Sequence, residues 1–84
     1  MTAKEAYNKI AEKYINFEII KCFEYESLYV FQIVPKNFDK SESPDNLLDS
    51  TRSINKKTGQ INAFNPLSIS IEEYNNGKEI FNFK

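Results

Sequence analysis

The side chains with chemistry to offer in this chain are carboxylates, lysines, tyrosines and a single thiol. Asp39, Glu42, Asp45 and Asp49 fall in one polar stretch, where they could hold a cation or share general acid and base work. Their spacing is not that of an EF-hand, which alternates oxygen donors before a glycine and ends on a glutamate. The plainer reading is a solvated loop of mixed charge, with Lys36, Lys40 and Arg52 nearby. The sequence contains no histidine, so the commonest general base and metal ligand is missing. Ser-His-Asp and Cys-His nucleophile arrangements therefore cannot be assembled. One cysteine without histidine also rules out zinc sites of the usual Cys/His type. The two glycines, Gly59 and Gly77, are too few for a phosphate-binding or dinucleotide loop. These absences point to a non-enzymatic protein with no catalytic residue, cofactor or metal. The rival is a small enzyme or ion-binding domain using the carboxylates of segment 39–49.

The remaining candidates are weaker. Cys22 lies in an apolar run and reads as a buried, inert thiol. Lys56 and Lys57 could touch a phosphate, yet two lysines beside a turn more often keep it soluble, and one pair cannot read a base sequence. Lys21 falls on an otherwise apolar strand face, where its stem would snorkel past the edge of the core, with Gln32 or a carboxylate as the alternative partner.

Charge and composition narrow the class. Eleven basic residues against twelve acidic ones give no field for the phosphate backbone, so nucleic acid is disfavoured as a partner. Forty per cent of residues are apolar, and seven Phe and five Tyr supply a core, so one folded domain over 1–84 is expected. A lone cysteine fits a reducing compartment. The opening MTAKEAYNKI lacks the apolar stretch of a signal peptide, and Leu28–Val34 is too short to span a bilayer. The expected location is the cytoplasm, with no membrane partner. Ten each of Asn, Ile and Lys suggest AT-rich coding, as in a low-GC bacterium or its phage.

The elements follow from periodicity. Ala3, Ala6, Tyr7, Ile10, Ala11 and Tyr14 form one helical stripe, and Thr2 with Glu5 matches a capping box, which predicts a helix over 2–14. The period then changes to two. Segments 15–25 and 28–34 read as an antiparallel hairpin turning near Glu26-Ser27, ended by Pro35. Strict alternation sets Ile19 and Phe23 with Leu28, Val30 and Val34. Ile20, Cys22, Tyr29, Phe31 and Ile33 then share the other face. Residues 36–46 carry Pro44 and no periodicity, and read as a surface loop. A third strand is expected within 47–55 and a fourth over 60–64. Between them INKKTGQI sets Ile54 opposite Ile61, leaving a Lys56–Gly59 loop that ends in a residue of positive φ.

Residues 70–83 read two ways. Ser70 and Glu73 suggest a capped helix over 70–78, with 80–83 extended against the sheet. The same residues also spell a strand, an Asn-Gly turn and a strand. We favour the helix. The expected fold is α+β, an N-terminal helix packed on an antiparallel sheet of about four strands, with a short C-terminal helix.

Both faces of the 15–34 hairpin are apolar, while the helix readily covers one. Tyr29, Phe31, Ile33, Tyr25 and Phe38 are therefore either core or a binding surface. We expect the face bearing Tyr29, Phe31 and Ile33 to be at least partly uncovered, and so available for another protein or for a homo-oligomer.

The order AYNKIAEKYI, LYVFQIV, SINKKTGQINAF and EEY resembles small immunity-protein domains of bacterial polymorphic toxin systems. The same turn also occurs in PepSY-like domains and in phage proteins of α+β type. The chain departs from the immunity domains in its long 36–46 loop and in Ser68 and Ser70. The resemblance implies a small cytoplasmic protein that binds another protein, as a toxin-neutralising or phage or mobile-element accessory factor, and it carries over no site residues.

Overall fold

A computed structural model describes residues 1–36 and 51–83. Helix α1 spans Ala3–Lys13. Its capping box is formed: the Thr2 hydroxyl accepts the Glu5 N–H at 3.2 Å and the Glu5 carboxylate accepts the Thr2 N–H at 3.2 Å. Two of the helix's orphan donors are satisfied this way, which is why the helix begins there. Ala6 and Ile10 are buried, and Ala3, Tyr7, Ala11 and Tyr14 pack beside them.

The sheet comprises β1 (Phe17–Glu24), β2 (Leu28–Pro35), β3 (Thr51–Asn55), β4 (Ile61–Ala63) and β5 (Lys78–Ile80), in the order β4-β3-β2-β1-β5. All neighbours are antiparallel. Five strands replace the expected four or so, the extra one coming from the C-terminal segment. Ile54 stands opposite Ile61, and Gly59 closes the turn at φ +72°, donating its N–H to the Asn55 carbonyl at 2.8 Å. The Asn55 side chain accepts the Lys57 and Thr58 N–H groups, holding the turn from inside. The start of the expected third strand and almost all of the 36–46 loop lie outside the described residues.

Strict alternation fails at one place. Ile19 pairs with Ile33, but the next pair is Lys21 with Gln32, so the register shifts at Ile20 as in a β-bulge. An extra residue inverts the facing of everything beyond it. Ile19 thus joins Cys22 in the helix-facing core, instead of sharing a face with Phe23 and Val30 as expected. Ile20 points to solvent, and Lys21, opposite Gln32, is exposed as well.

Residues 70–83 combine both of their sequence readings. Ser70 caps a short helix α2, Ile71–Asn75, by accepting the Glu73 N–H at 3.0 Å. The helix stops short of the expected 78, and β5 follows it. Since β4 and β5 lie on opposite edges and run parallel, the chain between them must cross the sheet. It crosses the face turned from α1, where the Tyr25 ring stacks with both Phe64 and Tyr74, each centroid 5.9 Å away.

The core therefore fills the helix side of the sheet: Ala6, Ile10, Ile19, Cys22, Tyr29, Phe31, Ile33, Ile54 and Phe83. After β5 the chain returns to this layer, placing the Phe83 ring 5.7 Å from Tyr7 and 6.1 Å from Phe31. The hairpin face expected to be partly open is the one that α1 and Phe83 cover. Phe31 is 0% exposed and Ile33 1%. Alternation identifies residues that share a face, but which face the helix occupies is a tertiary outcome. No helix among the described residues is long and apolar enough to cross a membrane.

Candidate functional site

The carboxylates Asp39, Glu42, Asp45 and Asp49 lie outside the described residues, as does Phe38. Of the other aromatic and aliphatic candidates, Tyr29, Phe31 and Ile33 are core, and Tyr25 is buried within the crossover stack. Cys22 is buried. Burial first, and the Glu24 charge second, push its thiol up to about 12, so it stays protonated and unreactive at neutral pH.

The charged groups converge where the β1–β2 turn, the β3–β4 turn and α2 meet. Lys56 Nζ donates to Glu24 Oε2 at 2.8 Å and sits 4.8 Å from the centroid of the Tyr29 ring. This ion pair over an aromatic face engages Lys56, leaving Lys57 as the exposed cation of the turn. The Lys56 hydrogen bond holds the Glu24 carboxyl below its ordinary range. Burial, then the Glu24 charge, push the Tyr29 phenol upward, and its hydroxyl donates to the Met1 carbonyl at 3.4 Å.

Glu73 supplies the second tie. Rather than closing a capping box on Ser70, its carboxylate reaches the β1–β2 turn and accepts the Ser27 hydroxyl at 2.6 Å and the Ser27 N–H at 2.9 Å. Those hydrogen bonds lower its pKa. An open cleft of about 440 Å³ lies between these elements, with Glu24, Glu26, Glu72, Lys56 and Lys78 among its walls.

The cleft is lined by charges of both signs. Its two perturbed carboxyls are shifted downward, so both are ionised at neutral pH and poorly suited to donate protons. Among the described residues no group of three Cys, Asp or Glu side chains is placed to hold a metal, and no buried side-chain polar atom lacks a partner.

Exposed apolar side chains among the described residues include two groups. Leu67, in a 3₁₀ turn (Pro66–Ser68), and Ile71, at the start of α2, are 90% and 81% exposed on the crossover. Ile15, Phe17, Ile20 and Phe81 are exposed around the first half of β1. Helix α2 spans only Ile71–Asn75 and has no buried residue, so Ile71 gains no covered face from it. Leu67 carries no sequence signal beyond being an apolar residue among turn formers.

The chain matches no family model, and no curated protein or solved structure is significantly similar to it.

Proposed function

We propose that this chain is a non-enzymatic, cytoplasmic protein-binding module, with toxin neutralisation or a phage or mobile-element accessory role as its specific task. The observation that carries the reading is the exposure of Leu67 and Ile71 on the outer side of the crossover. Large aliphatic side chains held out by a 3₁₀ turn and a capped helix remain in water unless another surface covers them. Covering one fully contributes roughly 1.5–3 kcal/mol, and adjacent exposed apolar groups mark interaction sites more often than isolated ones do. The charged cleft beside α2 offers polar contacts around such an interface, in keeping with the usual apolar centre and polar rim.

A Leu67→Asp/Ile71→Asp variant tests this, because both side chains are exposed and the fold should persist. With wild-type protein as cross-linking bait in the source cell, one partner should be captured that the double variant fails to retain. Equal capture by both baits would put the binding surface elsewhere. Failure of the wild type to capture any protein would count against the reading altogether.

A further inference from the structure

We propose that two copies of this chain pair edge to edge through Glu18–Lys21 of β1, about a two-fold axis between Ile19 and Ile20. β5 covers only Cys22, Phe23 and Glu24. Beyond Ile80 the chain bends at Phe81, and Phe83 joins the core. Among the described residues, the stretch from Phe17 to Lys21 has β2 on one side and no strand on the other. Such an edge presents unpaired backbone donors and acceptors, ready to pair with another strand.

The bulge indicates which strand. A bulge ordinarily guards an edge by twisting it out of line. Here it has a second consequence. Residues three apart in an unbroken strand point to opposite faces, yet Glu18 and Lys21 share one, since they stand opposite Val34 and Gln32 of β2. Directly opposed residues in an antiparallel ladder lie on the same face. A two-fold axis between Ile19 and Ile20 therefore sets each Glu18 against the other copy's Lys21, forming the same ion pair twice. Both side chains are exposed and free to meet. An edge carrying both signs in this arrangement is complementary to itself, as an isologous interface requires.

Backbone pairing over so short a stretch is small beside the roughly 1,200 Å² or more that a stable interface removes from water. Exposed Phe17, Ile20 and Phe81 flank the edge and supply further apolar contact. The surface is separate from Leu67 and Ile71, so the proposal stands or falls independently of partner capture.

Sedimentation equilibrium on the wild type and two charge variants decides it. The wild type should run at twice its 9.8 kDa chain mass. Glu18→Lys, which sets like charges together, should shift it towards monomer. Glu18→Lys combined with Lys21→Glu should restore the dimer. Circular dichroism spectra matching the wild type would show that each variant is folded. A wild type that stays monomeric at its highest soluble concentration overturns the proposal. So does a dimer that survives Glu18→Lys, or a charge swap that fails to recover association.

Discussion

Gly77 lies against the Tyr25 ring with no room for a β-carbon: one built there would stand 2.8 Å from Cδ1 and 3.0 Å from Cζ. The ring cannot easily move, because it is buried and stacks with both Phe64 and Tyr74. This contact fixes where the crossover leaves the sheet face and enters β5. Gly77→Ala should therefore destabilise the fold by about 1–3 kcal/mol, as overpacking does. The urea midpoint measures it. In a Tyr25→Leu background the added cost should shrink, and an unchanged midpoint in the wild-type background would show that the ring gives way freely.

Gly59 presents a different constraint, since its φ of +72° is strained for a residue with a side chain, while a β-carbon there would meet only the flexible ends of Lys9 and Met1. Gly59→Ala should cost about 1 kcal/mol through the backbone alone. Thermal denaturation with matched far-ultraviolet spectra would register this, and a midpoint that rises would mean the turn is built differently.

Phe31 sits at the centre of the core, so Phe31→Ser should remove about 3–5 kcal/mol. A domain of this size holds only about 4–13 kcal/mol, so the variant should show a much lower urea midpoint or no folded baseline at all. A well-folded Phe31→Ser protein with altered association would return this face to the role of a binding surface.

Acid should loosen the α2 tie. The Ser27 hydrogen bonds hold Glu73 below its ordinary value of 4.5, and the Lys56 hydrogen bond does the same for Glu24. The unfolded chain takes up these protons first as pH falls. The stability they contribute is therefore full above 4.5 and is lost as pH drops through the lowered folded values. Glu73→Gln should flatten this acid limb when denaturation midpoints are followed downward from neutrality. An acid limb identical to the wild type would show that the Ser27–Glu73 contact adds nothing to stability.

What could be read from the sequence was encoded within a few residues of itself. The Thr2–Glu5 box, the Ile54–Ile61 hairpin with Gly59 at its end, and the Ser70 cap each join residues close in the chain. Their hydrogen bonds form in much the same way whatever the rest of the fold does. The α+β class and the burial of Cys22 follow from the same local patterns. The tertiary structure decided the non-local matters. Only packing could settle that α1 takes the Tyr29–Phe31–Ile33 face, because alternation separates two faces without ranking them. The register shift at Ile20 has no signature in a run of apolar residues; it exists because Ile19 and Cys22 both find places under the helix. The crossover of 64–77 and the return of Phe83 depend on which sheet edges were left open. Among the described residues both sheet faces are drawn into packing, and exposed apolar side chains remain on the crossover and around the first half of β1. Neither group is periodic in sequence, since each is defined by what the other described elements leave uncovered.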